Sequence, residues 1–209
     1  MANGTKFPTE VVELPSKGYF YPKDNPLASD DILIGDKNAL IVAARILAYG
    51  KVYEFATFDD SGEEVNATID LTMLNDKEID FDKLSSNTNE FPFELPNSKR
   101  AITLRFLTHK DEKELEREAI ALKKVSSTLA KTMTSRMKRI IASVDGNSER
   151  TTVNNFVDTE LLSVDSLELR KYLNSINPDI NMTTIATFPD GREEEVAVEI
   201  TAQFFWPSA

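Results

Sequence analysis

The sequence predicts an α+β fold in which β-hairpins pack against several helices behind an extended N-terminal arm. Three observations predict it. β-Prone runs flank turn-forming residues at positions 59–62, 96–99 and 189–191, which is the pattern of β-hairpins. Other segments repeat apolar residues at helical spacing, and four prolines oppose helix formation before residue 30. We therefore expect an arm at residues 1–30 and an α+β body at residues 31–209.

A helix followed by a hairpin is predicted at residues 36–72. Asp36 is expected to occupy the N-cap of the helix, a position that favours Asp, and Gly50 is expected to end the helix. The apolar spacing then changes from the helical period to strand alternation. The two strands of this unit are expected at residues 52–58 and 64–71.

The middle of the body, residues 91–144, is predicted to hold a strand pair and a long helical segment. A polar loop at residues 76–89 precedes it. Thr108 and Asp111 have the spacing of a capping box, in which each side chain bonds the backbone N–H of the other. The expected elements are strands at 91–95 and 101–107, helical pieces at 109–124 and 128–137, and a β-prone run at 140–144.

A second helix–hairpin unit is predicted at residues 165–206. Asp165 or Ser166 is expected to cap its helix, which Pro178 ends, and β-prone residues follow on both sides of the turn at 189–191. The two units share the triplets Ala-Thr-Phe and Glu-Glu-Val, at residues 56–58 and 63–65 and again at 186–188 and 194–196. We interpret this as a duplication. The alternative is convergence, because unrelated hairpins favour the same residues.

Composition excludes several classes of function. The net charge is −11, with 35 acidic and 24 basic residues, which argues against nucleic acid and anionic membranes as partners. The chain has no cysteine, so disulfides and thiolate metal sites are excluded, and a reducing compartment fits. No segment approaches the ~20 apolar residues of a membrane span.

No constellation of residues predicts catalysis. His109 is the single histidine, and a hydrolase built around it is the remote alternative; the simpler interpretation is a surface residue in a first helical turn. Acidic residues cluster at 59–64 and 193–195, but neither cluster has the spacing of a calcium loop. With only seven glycines there is no phosphate-binding loop. We expect no enzyme activity, no cofactor, no metal and no small-molecule substrate.

Aromatic residues near both ends are the candidate partner-binding residues. Tyr19, Phe20 and Tyr21 lie on the arm, and Phe205 and Trp206 lie at the C-terminus. Exposed aromatic anchors are typical of protein interfaces. The alternative for both groups is that they pack on the chain's own core. If they bind a partner, deletion of residues 1–22 should leave a folded chain.

Five stretches, in this order, resemble the baseplate hub proteins of T-even-like contractile-tailed phages. They are VELPSKG at 12–18 followed by Tyr21-Pro22, LIGDKNA at 33–39, FELPNS at 93–98 leading to DEKE at 111–114, SVDG at 143–146, and FFWP at 204–207. The chain departs from the family in lacking Cys-x-x-Cys-Gly at its hairpin tips, so a metal knuckle is not expected. Residues 27–31 also join directly two motifs that relatives separate by a longer segment.

The resemblance implies a structural or assembly component of a tail baseplate hub that acts by binding other hub or tail proteins. An oligomer within the assembly is one arrangement that this role permits. The implied location is the virion baseplate, and the host cytoplasm during assembly. The alternative within the same biology is a transient assembly chaperone that is absent from the mature virion.

Overall fold

The computed structural model describes residues 11–23, 27–58, 62, 64–84, 87–123 and 129–205. The fold is α+β, as the sequence predicts. The helices are α1 (Ile34–Tyr49), α2 (His109–Lys123), α3 (Leu129–Ile140), α4 (Arg150–Asn155), α5 (Ser163–Ile176) and α6 (Ala202–Phe205). The strands are β1 (Val52–Phe58), β2 (Glu64–Asp70), β3 (Phe91–Glu94), β4 (Ala101–Leu104), β5 (Ile141–Val144), β6 (Thr183–Thr187) and β7 (Glu193–Ala197).

Two antiparallel sheets divide the body, and each has its own hydrophobic core. The strand order is β1-β2-β6-β7 in one sheet and β3-β4-β5 in the other. Apolar side chains of α1 and α6 pack on the four-stranded sheet. Those of α2, α3, α4 and α5 pack around the three-stranded sheet. The core of the three-stranded sheet also takes in Tyr19, Phe20 and Tyr21, so this part of the arm belongs to the fold.

The hairpins and the helix ends follow the local turn chemistry that the sequence displays. β1 and β2 pair without interruption from Val52–Asp70 to Phe58–Glu64. Gly50 follows α1 with a φ of 84°, and its N–H donates to the Ile46 carbonyl at 2.8 Å. Only glycine adopts that backbone region freely, so the predicted end of α1 is confirmed.

The predicted capping box at the start of α2 is confirmed. The Thr108 N–H donates to an Asp111 carboxylate oxygen at 2.9 Å, and the Asp111 N–H points to the Thr108 hydroxyl at 3.5 Å. The strand before it is shorter than expected, because β4 ends at Leu104. Beyond that point the Arg105 N–H donates to the Ile140 carbonyl at 2.8 Å, in line with the Leu104–Ile141 pair, but the pairing with β3 has ended.

The predictions that Asp36 and Asp165 are N-caps are wrong. α1 begins at Ile34 and α5 at Ser163, so each aspartate is the third residue of its helix. The N-cap residues are leucines in extended conformation with no side-chain cap. Both aspartates are fully buried and bond to distant segments, as described below.

The two helix–hairpin units are present but are not equivalent. α1 packs on its own hairpin, whereas α5 packs in the core of the other sheet. The Ala-Thr-Phe triplets face opposite ways, since Phe58 is 70% exposed and Phe188 only 6%. The Glu-Glu-Val triplets also differ in register, because Val65 lies opposite Thr57 whereas Val196 lies opposite Thr184, farther from its turn. For these triplets the structure favours convergence over duplication.

Candidate protein-binding surface

The arm is fastened to the start of α1 by one buried carboxylate. Asp36 accepts hydrogen bonds from the Ser16 N–H at 2.9 Å, the Ser16 hydroxyl at 2.5 Å and the Tyr21 hydroxyl at 2.6 Å. The Tyr21 hydroxyl in turn accepts from the Leu33 N–H at 3.0 Å. Burial and the hydrogen bond to Asp36 raise the pKa of Tyr21 well above its usual value. We call this group the Asp36 clamp.

The arm aromatics therefore pack on the chain's own core. Phe20 is 1% exposed and contacts Phe106 edge-to-face, with ring centroids 5.0 Å apart. Tyr19 donates its hydroxyl to the Leu84 carbonyl at 2.9 Å. Tyr19 and Tyr21 are half-buried against the same cluster. A side chain as buried as Phe20 cannot anchor a partner, so its assignment as a partner-binding residue is corrected.

A second clamp holds the turn between β3 and β4 to the start of α5. Asp165 accepts from the N–H of Asn97 at 2.8 Å, from the Asn97 side-chain amide at 2.9 Å and from the N–H of Ser98 at 2.9 Å. Burial opposes ionisation of Asp165, but the hydrogen bonds from Asn97 and Ser98 outweigh it and lower its pKa to about 2. The Asp165 carboxylate thus accepts hydrogen bonds from the backbone of the β3–β4 turn and not from that of its own helix.

The Asp165 clamp predicts that stability falls as the pH drops from about 4 to about 2. A carboxyl with a lower pKa in the folded chain than its ~3.9 in the unfolded chain stabilises the fold above pH ~4. That contribution disappears as the pH falls through the folded pKa. In urea unfolding, native protein and Asp165→Asn should therefore differ most near pH ~5 and least near pH ~2.

A difference that did not change with pH would contradict this role of Asp165. The control is Glu168→Gln on the same helix. Glu168 makes a surface ion pair with Lys171 at 2.8 Å, and exposed pairs of this kind contribute little.

The two clamps share a sequence signal that the triplet comparison missed. The segments ELPSK at 13–17 and ELPNSK at 94–99 both form turns in which the lysine has positive φ, 51° at Lys17 and 58° at Lys99. The first turn donates one backbone N–H, and the second donates two, to an aspartate that is the third residue of a helix. These two segments, rather than the hairpin triplets, are the sequence feature that identifies the two turns as equivalent.

The C-terminal aromatics divide between core and surface. Phe204 is fully buried and contacts the Tyr53 ring edge-to-face at 5.1 Å. Phe205 is half-buried and packs against Phe204 at 5.4 Å. Trp206 lies outside the described residues. The partner-binding role expected of Phe205 and Trp206 therefore stays a prediction.

His109 takes part in an ion-pair cluster between α1 and α2. Its Nδ1 lies 3.3 Å from the Glu112 carboxylate, which also bonds the Lys37 ammonium. Burial opposes ionisation of Glu112, but the bonds from Lys37 and His109 outweigh it and lower its pKa. The arrangement joins two helices.

From Leu40 to Tyr49 the outward side of α1 is apolar and carries no charge; one turn earlier on the same side, Lys37 pairs with Glu112 of α2. The apolar part consists of exposed residues at helical spacing, which we call the α1 outer face: Leu40, Ala44, Leu47, Ala48 and Tyr49. The three large side chains are 37%, 46% and 52% exposed for Leu40, Leu47 and Tyr49. Charged residues make up 28% of the chain, yet Arg45 is the single charge from 38 to 50.

Arg45 does not interrupt this face, because it points inward. The residue is 4% exposed, with its guanidinium 4.7 Å from the centre of the Tyr49 ring and 5.6 Å from that of Tyr53. One guanidinium nitrogen lies 3.4 Å from the Gly50 carbonyl. The cation is thus held between two aromatic rings at the end of α1, where the helix dipole favours positive charge.

Comparison with protein-family models, with curated proteins and with solved structures gives no match. Within the described segments, no three His, Cys, Asp or Glu side chains are grouped so that they could hold a metal ion. None of the helices in the described part of the chain is both long and apolar enough to cross a membrane.

Proposed function

We propose that this protein is a non-enzymatic structural or assembly component that acts by binding other proteins. The observation that carries the proposal is the α1 outer face. A helix on a solvated surface normally alternates an apolar stripe with a charged face. From Leu40 to Tyr49 the exposed residues of α1 are instead all uncharged, and the one charge in that range, Arg45, is buried.

The contrast with α2 makes the α1 outer face unusual within the chain itself. Among the described side chains of α2, at residues 109–121, one large apolar side chain is exposed, Ile120, and acidic and basic residues surround it. A single exposed apolar side chain of that kind is ordinary. Exposed apolar side chains at i, i+4 and i+7 with no exposed charge between them, as at Leu40, Ala44 and Leu47, are the pattern of a helix that binds a partner.

The resemblance to baseplate hub proteins indicates the assembly in which the chain would bind its partners. Three of the five stretches that carry it, at 12–18, 33–39 and 93–98, hold Ser16, Asp36, Asn97 and Ser98 of the two clamps, whereas Asp165 lies outside them. We therefore propose that the chain shares the fold of that family and serves in the hub of a contractile tail. Its partners would be other hub or tail proteins.

Charge placed on the α1 outer face should block assembly without unfolding the chain. The variant is Leu40→Glu with Leu47→Glu, both at exposed positions where substitutions typically change stability by about 0.5 kcal/mol or less each. Buried carboxylates in the interface would oppose binding, so we expect incorporation into tails to fall about tenfold or more. The measurement is the amount of the chain in purified tails.

The matched control is Ile120→Glu, which places the same charge at an exposed position of α2. Circular dichroism melting establishes that both variants fold. If the α1 variant folds and enters tails as well as the control does, the α1 outer face is not the binding surface and the proposal fails.

Mass spectrometry of purified, salt-washed tails separates the structural role from the chaperone role. A fixed ratio to hub proteins in finished tails supports a structural component. Presence only in lysates of assembling cells, bound to hub proteins, supports the chaperone alternative. Absence from both would refute a place in tail assembly.

The hydrolase alternative has its own test. His109→Ala should leave phage yield unchanged, because the contact between α1 and α2 is the Lys37–Glu112 ion pair, which the substitution keeps. Yield abolished by a variant that still melts at the native temperature would favour the hydrolase.

A further inference from the structure

The edge of β1 is unpaired in the described residues. The strand order β1-β2-β6-β7 makes β1 and β7 the two edges of the sheet. β1 is seven residues long, with Glu54 as its one charged residue. An edge strand of this length that is apolar and unprotected invites another strand to pair with it.

The ladder identifies the backbone groups that point outward. The Leu71 N–H donates to the Lys51 carbonyl at 2.8 Å, one step before the Val52–Asp70 pair. Hydrogen-bonded pairs alternate along an antiparallel ladder. The N–H and C=O groups of Val52, Glu54, Ala56 and Phe58 therefore face away from β2 and are the ones that an added strand would meet.

The other edge of the sheet is protected. Just before β7, the Phe188 N–H donates to the Arg192 carbonyl at 2.9 Å, and this pair determines which residues of β7 bond to β6. It directs the backbone of Glu193, Glu195 and Ala197 outward. β7 carries three consecutive glutamates, and charge on an edge strand discourages pairing. The sheet thus has one closed edge and one open edge.

A cleft of about 290 Å³ runs beside β1 on the side of the sheet that faces the core. Tyr53, Phe55 and Thr57 line it from β1, and Val198 and Thr201 line it from the segment after β7. An added strand would direct alternate side chains to this side. The wall of the cleft is mixed, with apolar surface from Tyr53, Phe55 and Val198 and polar groups from Thr57, Thr201 and Glu199.

The opposite, outward side of the β1 edge carries a single charge. Glu54 points there between the exposed Val52 and Phe58, while Glu199 lines the cleft. Lys51 is paired with Asp70 at 2.7 Å, and the chain has a net charge of −11. Side chains directly opposite across a strand pair share a face and favour opposite charge.

We propose that the β1 edge binds an extended segment of a partner protein in which one Lys or Arg is flanked by apolar residues. The basic side chain lies beside Glu54, the apolar side chains pack on Val52, Phe58 and the aromatic part of the cleft, and the backbone pairs with the outward groups of β1. The inference rests on the proposed function in supposing a protein partner, but it concerns a surface separate from the α1 outer face.

The test uses the whole chain and a nine-residue lysine–valine peptide, in which one central lysine is flanked by valine and threonine; the glutamate–valine peptide has glutamate at the centre instead. Hydrogen exchange followed by NMR should show the amides of Val52, Glu54, Ala56 and Phe58 slowed at least about tenfold by the peptide. The amides between them are already bonded to β2 and should change little. The glutamate–valine peptide should bind at least about tenfold more weakly.

A pair of variants isolates the backbone contribution. Ala56→Pro removes an outward N–H without breaking a bond to β2, and is expected to weaken peptide binding about tenfold. Ala56→Ser keeps the N–H and should bind as the native chain does. Since the exchange pattern is measured on the native chain, it stands even if the proline variant does not fold.

Three outcomes would overturn the inference. Binding of the lysine–valine peptide without slowed exchange at alternate β1 amides would exclude strand pairing. Equal binding of the glutamate–valine peptide would remove the charge requirement. Amides already slowed in the free chain would show the edge occupied, by the same chain if it sediments as a monomer and by a second copy if it dimerises. None of these readouts depends on tail assembly, so the proposed function is tested separately.

Discussion

Replacement of Asp36 by alanine is expected to lower the free energy of unfolding by about 3 kcal/mol or more. The substitution leaves the Ser16 N–H, the Ser16 hydroxyl and the Tyr21 hydroxyl without their acceptor, and Ser16 is fully buried. Each buried polar group left unpaired costs about 1–3 kcal/mol. Urea denaturation measures the loss, and a change under about 0.5 kcal/mol, typical of a surface substitution, would contradict the clamp.

Two further variants show whether the loss comes from the clamp itself. Tyr21→Phe removes one donor to Asp36 and should cost less than Asp36→Ala. Combined with Asp36→Ala, it should cost less than the two single losses added together, because both remove the same hydrogen bond. Additive losses would mean that Asp36 acts through some other contact.

The same clamp reverses an expectation about the arm. If its aromatics bound a partner, deletion of residues 1–22 would leave a folded chain. In the structure that deletion removes Ser16, Phe20 and Tyr21 from the body, with Phe20 in the core. The deletion should therefore unfold the three-stranded half, and assembly defects of such a truncation would not identify a binding surface.

Local chemistry explains which parts of the fold were predictable. The β1–β2 hairpin, the capping box at Thr108 and the end of α1 at Gly50 each depend on residues within a few positions of one another. Asp36 and Asp165 were misplaced because the N-cap and the third helical residue both suit an aspartate. The choice was decided by partners far along the chain, which are 15–20 residues away for Asp36 and 67–68 for Asp165.

The candidate site was visible in the sequence only in part. The apolar run through α1 is evident, and so is Arg45 within it. The run alone does not show whether the helix is buried on all sides or on one. In the structure only one side of α1 packs on the sheet. The open edge of β1 was less accessible still, because it requires the strand order.

Replacement of Gly35 by alanine is expected to destabilise the chain severely, by about 3 kcal/mol or more. A Cβ at Gly35 would lie against the Pro178 carbonyl oxygen and 2.7 Å from the Asp179 Cα. These are backbone atoms that cannot rotate aside. Residues 178–179 lead from α5, in one core, to Ile180, in the other, so the clash falls where the two halves join.

Helix propensity makes the opposite prediction for Gly35→Ala, which gives the experiment a decisive sign. Alanine is favoured over glycine inside a helix by about 1 kcal/mol, so the variant would be stabilised if the close approach did not matter. Ala44→Gly, at an exposed position of α1, measures the propensity term alone and should cost about 1 kcal/mol. Urea unfolding of both variants decides the matter. A stabilised Gly35→Ala would show that the start of α1 does not pack against residues 178–179, whereas a loss well beyond that of Ala44→Gly would establish this contact as the joint between the two cores.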